Sequence, residues 1–245
     1  MSESTIEWTE RTWNPVTGCT KVSPGCKNCY AELMSKRLQA MGTPGYEGGF
    51  KKVAMHENRL ADPLKRKTPT VYFVNSMSDL FHAKVTDTFL DKVFDIIEAT
   101  PQHTYQILTK RSERLPTYFA KRKCPKNVWL GVSVEDRKYG VPRIDHLRKV
   151  KAKIRFLSVE PLLADVGKLN LKGIHWVIVG GESGHKARPM DPAWVENIKD
   201  QAEVAGVAFF FKQWGGWGAD GVKRHKKQNG RIFQGREWNE YPVYL

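Results

Sequence analysis

Six short apolar runs, each closing on polar residues, set the first limit on what this chain can become: "TVYFVNSMSDLF", "TYQILTKRSERL", "NVWLGVSVED", "KIRFLSVEPLL", "HWVIVGGESG" and "VAFFFKQWGG". A strand with one wet face alternates apolar and polar residues, whereas a continuous run is buried on both faces, as in a parallel sheet covered by helices. Helical spacing fills the intervals. Phe89, Leu90, Val93, Phe94 and Ile97 form one inward face, and Trp194, Val195, Ile198, Ala202 and Ala205 form another. A weaker run around Ile6 to Trp13 precedes them. From Asn28 onward Ala31, Met34, Leu38 and Met41 share a helical face that the Gly/Pro cluster from Gly42 to Gly49 ends, and Ser112 reads as the cap of a helix through Phe119.

There is neither a repeat of fixed period nor a low-complexity linker, and 245 residues suit one large α/β domain. The expected fold is therefore α/β, a partial (β/α) TIM-like barrel of six or seven parallel strands in a single domain. Residues 1–217 would form the barrel, with a cysteine-bearing loop at 14–32. Residues 218–245, basic and then aromatic through Phe233, Trp238, Tyr241 and Tyr244, would pack on it as a hairpin-like extension whose Lys223 to Lys227 stretch offers an anion-binding lip.

In such sheets the carboxyl ends of the strands make the reactive rim. The polar endings collected there are Asn75, Ser76, Ser78 and Asp79; Lys110 and Arg111; Ser133 and Glu135; Ser158 and Glu160; Gly180, Gly181 and Glu182; and Lys212 and Gln213. Lys110, Glu160 and Lys212 are the candidate catalytic residues, the lysines because an ammonium pairs with phosphate or carboxylate. A barrel-mouth salt bridge of Lys110 with Glu135 or Glu160 is the plainer alternative. Trp214 and Trp217 offer base-stacking faces or merely close the barrel end.

The chain carries 40 Lys and Arg against 26 Asp and Glu, a net charge of +14. Its basic residues recur in blocks, among them Lys65 to Lys67, Lys121 to Lys123, and Lys223-Arg224 with Lys226-Lys227. Such an excess attracts polyanions, so a nucleic acid or a phosphorylated nucleotide is the expected substrate. No long apolar run or leader pattern is present, which points to the cytoplasm and away from a membrane. In a reducing compartment, close-set cysteines signal metal or redox chemistry rather than disulfides.

Three of the four cysteines fall within eleven residues of "NPVTGCTKVSPGCKNCYAE": Cys19, Cys26 and Cys29, spaced C-x6-C-x2-C and followed by a helix. Three thiolates suit a soft metal centre with one open position. A closed zinc site would need a fourth ligand from Cys124, His56 or His82.

At this loop the sequence resembles the radical S-adenosylmethionine superfamily, with a first gap of six residues where the common pattern has three. With the six strand runs, nearly the whole chain is similar to an often phage-encoded family of such proteins, and several strand ends resemble those of spore photoproduct lyase, which repairs a DNA lesion by hydrogen abstraction. The resemblance implies a 4Fe-4S cluster on Cys19, Cys26 and Cys29, S-adenosyl-L-methionine on the open iron, an external electron donor, and a 5′-deoxyadenosyl radical. It further implies that Asn75, Ser76, Ser78 and Asp79 meet the methionine moiety, that Ser133 and Glu135 meet the ribose, and that Glu160 and Pro161 support the adenine. Gly180-Gly181-Glu182 is similar to the superfamily's amino-binding triplet but sits on the sixth strand, which assigns it to the substrate side or to the cofactor. A partner protein completing the site, a peptide or small-molecule substrate, and a non-catalytic nucleic-acid-binding protein with structural zinc are the remaining readings.

Overall fold

The six apolar runs become strands. The computed structural model describes residues 2–4 and 6–243; Tyr244, counted with the C-terminal aromatics, lies outside the described residues. In chain order the strands are β1 Ser2–Glu3, β2 Arg11–Trp13, β3 Val16–Thr17, β4 Ala54–Met55, β5 Val71–Val74, β6 Thr104–Thr109, β7 Val128–Ser133, β8 Ile154–Val159, β9 Trp176–Gly180 and β10 Ala208–Gln213. The helices are α1 Tyr30–Ala40, α2 Asp87–Ala99, α3 Arg114–Lys121, α4 Pro142–Arg148, α5 Pro192–Val204 and α6 Lys226–Asn229. The main sheet runs β1-β2-β5-β6-β7-β8-β9-β10, with β2 through β10 in this order making the seven parallel strands of a partial TIM-like barrel. The class is α/β, as the strand runs require. None of the helices is long and apolar enough to cross a membrane among the described residues.

Contacts concentrate in two units, with β7 contributing residues to both. The first unit holds residues 1–22, 29–130 and 150–153. In it β2 pairs with β5 (Trp13 opposite Val74) and β5 with β6 (Val74 opposite Ile107). Helix α2 starts where Thr86 Oγ1 accepts from Phe89 N (3.2 Å), and it buries all five apolar residues of its predicted face. The weak run at Ile6 to Trp13 is strand only from Arg11. Thr9 N bonds Ile6 O (3.2 Å) in a turn that buries Trp8 against Phe73, ring centroids 4.8 Å apart.

Helix α1 corrects another expectation. Its buried residues are Ala31 and Ser35, whereas Met41 is 76% exposed and Leu33 59%. Ala31 and the half-buried Leu38 of the predicted face do pack into a cluster with Tyr46 and Met77, but the buried stripe takes in Ser35 and leaves Met34 and Met41 outside it.

The second unit holds residues 23–28, 131–149 and 154–245. Here β8, β9 and β10 pair in parallel, and Phe156, Trp176, Phe210 and Phe211 are fully buried. Helix α5, capped by Asp191 through Ala193 N (2.8 Å), buries Val195, Ile198 and Ala202; Trp194 is half-buried and Ala205 is an exposed cap. The C-terminal segment is not a simple hairpin: α6 interrupts it, and its later residues run along β10, with Phe211 N bonding Trp238 O (3.0 Å) and Glu240 N bonding Phe209 O (3.2 Å).

Gly131 in β7 leaves room for Phe156, whose ring carbons would lie 2.5–2.6 Å from a Cβ placed at 131. Overpacking of this kind costs about 1–3 kcal/mol. Gly131→Ala should therefore lower Tm by several degrees for a chain of this size, roughly 2–4 °C per kcal/mol, as read by circular dichroism; an unchanged Tm would show that Phe156 has room to turn aside.

Candidate functional site

In the first unit the turn after β5 is stitched to the start of the cysteine loop. Asn75 N donates to Trp13 O (2.8 Å), and Val16 N donates to Asn75 Oδ1 (3.3 Å). Asn14 Oδ1 accepts from Ser76 Oγ and from Met77 N, both at 3.2 Å, while Ser78 Oγ donates to Val16 O (2.8 Å). Asn75 holds the left-handed φ of 60° that turns the chain here, a conformation asparagine tolerates better than most residues. Its Nδ2 is buried with no hydrogen-bond partner.

Asp79 is the centre of this turn. Its Oδ1 accepts from Phe81 N (3.0 Å) and Thr109 Oγ1 (2.7 Å), and its Oδ2 from Lys110 N (3.0 Å) and Arg111 Nη1 (3.2 Å). Arg111 then reaches the cysteine loop, with Nη2 on Thr20 O (2.8 Å) and Thr20 Oγ1 (2.9 Å) and Nη1 3.6 Å from Cys19 Sγ. Gly18 precedes this cysteine at φ 80°, where a Cβ would sit 2.1 Å from Lys52 O. Cys19 N bonds Phe50 O (2.7 Å), and Cys29 is the N-cap residue of α1. Asp79, expected at the methionine moiety, is thus buried and hydrogen-bonded within its own chain.

The second unit treats the middle of the cysteine loop, residues 23–28, in the same way. Cys26 ends a short 3-10 turn, Pro24–Cys26, with its Sγ 3.9 Å from Ser23 Oγ. Glu182 Oε2 accepts from Asn28 Nδ2 (2.9 Å), Arg188 N (3.0 Å) and Arg188 Nε (2.9 Å), and its Oε1 accepts from Arg188 Nη2 (2.6 Å). Arg188 Nη2 also donates to Pro24 O (3.0 Å). Burial pushes the Glu182 carboxyl up, but the hydrogen bonds from Arg188 and Asn28 outweigh it and hold the group below the usual carboxylate range. Beneath Gly25, whose Cβ would stand 3.2 Å from the Glu135 side chain, Glu135 is fully buried. Its Oε2 takes Arg143 Nη1 (2.5 Å) and its Oε1 takes Arg143 Nη2 (3.3 Å), while Arg143 Nη1 also donates to Ser133 O (2.7 Å). Glu135 is a buried ion-pair partner, and the expected ribose contact meets a carboxylate already occupied.

Glu160 and Lys212 form a pair, Oε1 to Nζ 3.0 Å, with Glu160 Oε2 accepting from Ser158 Oγ (3.2 Å). They belong to the ends of β8 and β10, and the strand between them presents Gly180, where a Cβ would lie 2.7 Å from Glu160 Oε1. Gly181 likewise admits Trp214 O, 2.0 Å from its hypothetical Cβ. Trp214 is buried against Phe211 and Phe233 with Nε1 on Ile232 O (2.8 Å), so it closes the end of the sheet. Trp217 donates to Ala187 O (2.7 Å) and carries Lys223 Nζ over its ring, 5.6 Å from the centroid.

Cys19, Cys26 and Cys29 are outside any disulfide and partly exposed, and a guanidinium stands at the first; thiols of this kind are the ligands an iron–sulfur cluster takes. As soft sulfur donors the three are chemically suited to that group. Among the described residues no group of three or more His, Cys, Asp or Glu is arranged to hold a metal ion. Of the candidate fourth ligands, His82 Nδ1 accepts from Lys84 N (3.1 Å), which leaves its Nε2–H for Thr20 Oγ1 (2.9 Å), and His56 Nε2 bonds Thr17 Oγ1 (2.8 Å). Sequence reasoning missed Asn14, Asn28, Arg143 and Arg188. Asn14 and Asn28 stand within the cysteine loop, and Arg143 and Arg188 follow Glu135 and Glu182 by eight and six residues, spacings that single out no partner.

His56, His82 and His175 are all held below the ordinary imidazole value of 6.5, first by burial and then by Arg59, Arg111 and Arg155 respectively. The folded state favours their neutral form, so this stability is present above 6.5 and is lost as the pH falls through the lowered folded values. The Tm of the metal-free protein should decline as pH drops below 6.5, and His175→Asn, which keeps an acceptor for Arg155 N, should flatten part of the slope. A slope untouched by that substitution would contradict the assignment.

Among solved structures, the chain is similar to spore photoproduct lyase. A cysteine-to-serine mutant of that enzyme shares 16% identity, with 81% of this chain and 62% of that one covered and a TM-score of 0.47. A double mutant with bound AdoMet and dinucleoside spore photoproduct shares 15%, covering 82% and 63% at a TM-score of 0.46. A complex with dinucleoside spore photoproduct shares 14%, covering 81% and 64% at 0.44. The chain therefore spans less than two thirds of the length of these neighbours. No curated protein matches it. Residues 3–242 match the family described as Protein of unknown function (DUF5131), and the chain belongs to that family.

Proposed function

We propose that the chain is a radical S-adenosylmethionine enzyme acting on a nucleic acid or a phosphorylated nucleotide. The observation that carries this reading is the loop of three reduced thiols at C-x6-C-x2-C spacing, held by buried side chains rather than by disulfides. Cys19, Cys26 and Cys29 would ligate a 4Fe-4S cluster, and an external electron donor would reduce it. When bound, cluster and S-adenosylmethionine together supply one-electron cleavage of the sulfonium and a 5′-deoxyadenosyl radical for hydrogen abstraction.

The chain's own residues bind and orient. Asn75, with a buried Nδ2 that lacks a partner, is assigned as an amide donor to the methionine carboxylate. Ser76, Ser78 and Asp79 fix that turn against the loop. Ser133 and Glu135 support the loop from β7 with Arg143, and Gly180, Gly181 and Glu182 support it from β9. Lys110 is assigned to a phosphate or cofactor carboxylate. Lys212, held by Glu160, places a second ammonium at the end of β10.

The polyanion part of the reading rests on charge. In the second unit His185, Lys186 and Lys223 are exposed on two neighbouring loops joined by Lys223 Nζ donating to His185 O (2.6 Å), and Lys227 is exposed on α6. Anaerobically purified protein should be brown, with iron and sulfide near four per chain, and should release 5′-deoxyadenosine with dithionite and S-adenosylmethionine; Cys26→Ala should abolish both. A colourless protein holding one zinc would overturn the enzyme reading. Affinity for an oligonucleotide should fall steeply with salt, and Lys223→Gln with Lys227→Gln should reduce the slope of log K against log salt by about 1 for each lysine that pairs with a phosphate. A slope near zero in the unsubstituted protein would restrict the substrate to a small molecule.

A further inference from the structure

We infer that Arg111 is a positioning residue for the cluster, which sets the orientation of Cys19 and raises the reduction potential by donating an N–H to its sulfur; this rests on the reading of the three cysteines as ligands. The geometry places one planar guanidinium among a carboxylate, a carbonyl, a hydroxyl and a thiol. Nη1 is shared between Asp79 Oδ2 (3.2 Å) and Cys19 Sγ (3.6 Å), and Nη2 between Thr20 O (2.8 Å) and Thr20 Oγ1 (2.9 Å). The fork cannot swing away. Its own backbone N is tied to Thr109 Oγ1 (2.8 Å), and that hydroxyl donates to the other oxygen of Asp79 (2.7 Å).

The Asp79–Arg111 pair is largely withdrawn from water, the two side chains being 8% and 13% exposed. Asp79 therefore has little choice of partner and fixes where the guanidinium points. Thr20 is held a second time, by His82 Nε2 (2.9 Å), so the residue after Cys19 is gripped from two strand ends. A structural role alone would need only the contacts to Thr20. The sulfur contact does something further: a positive donor at a ligating thiolate stabilises the extra electron of the reduced cluster, and hydrogen bonds to sulfur are among the levers that set such potentials. A lysine has one point of charge and no fork, so it cannot serve the carboxylate, the carbonyl and the sulfur together.

The test uses full-length protein with its cluster reconstituted anaerobically, in three forms: unsubstituted, Arg111→Lys, and Arg111→Gln combined with Asp79→Asn, which removes both buried charges at once. Iron and sulfide content is measured first, then the midpoint potential by electron paramagnetic resonance at controlled poise. The double variant should load its cluster and show a potential lower by at least 59 mV, equivalent to a tenfold fall in the ratio of reduced to oxidised cluster for one electron. Arg111→Lys should shift it in the same direction by less. Should the double variant fail to load, the potential of Arg111→Lys decides: a negative shift supports the assignment and an unchanged value overturns it. A loaded double variant with the unsubstituted potential also overturns it while leaving the cysteine assignment standing. If the unsubstituted protein itself takes up no iron and sulfide, the cysteine reading fails and this inference falls with it.

Discussion

A buried carboxylate at the end of a strand must be neutralised where it stands, and this fold depends on meeting that demand repeatedly. Asp79 after β5, Glu135 after β7 and Glu182 after β9 are buried and paired with Arg111, Arg143 and Arg188, and the partly exposed Glu160 after β8 is paired in the same way with Lys212. Removing one member of such a pair leaves an uncompensated charge, which costs about 3–5 kcal/mol, far more than a surface ion pair contributes. The pairs consequently fix the loops around them. In the first unit the Asp79 pair governs the start of the cysteine loop; in the second, the Glu135 and Glu182 pairs govern residues 23–28.

This arrangement divides labour between apolar and polar parts. Burial of β5, β6, α2 and α3 around Tyr72, Phe94 and Ile107 in one unit, and of Phe156, Trp176 and Phe210 in the other, supplies the driving force for each core. The ion pairs sit at the strand ends, where they give direction instead. Three small residues make the close approaches possible: Gly18 beneath Lys52, Gly25 over Glu135, and Gly180 beside Glu160.

Much of this was legible in the sequence because burial leaves a periodic trace. Helix α2 has five apolar residues at helical spacing after a threonine cap, and all five are buried. The strands were marked by continuous apolar runs between turn residues. Helix α1 is only partly legible, because periodicity records where large hydrophobes fall, not what covers them; Ala31 and Leu38 pack inward as their spacing indicates, but Ser35 is buried with them while Met41 is exposed. The strand-end acids were visible as polar endings, but their partners were not. Arg188 lies six residues beyond Glu182 and Arg111 lies 32 residues beyond Asp79, and no local pattern tells which arginine will meet which acid. Nor did the sequence carry any sign that Asp79 and Glu135, given cofactor contacts by resemblance, would also be engaged by Arg111 and Arg143.

The passage of the Glu160–Lys212 bridge across a strand residue with no side chain bears on how this sheet tolerates change. A methyl at position 180 would press on the glutamate oxygen, the far end of a side chain that can shift, whereas a methyl at position 181 would meet the main-chain oxygen of Trp214, which cannot. The charged bridge at 180 is thus the yielding part of this rim, and the rigid part is the next residue, where only glycine leaves room for the main chain beside it.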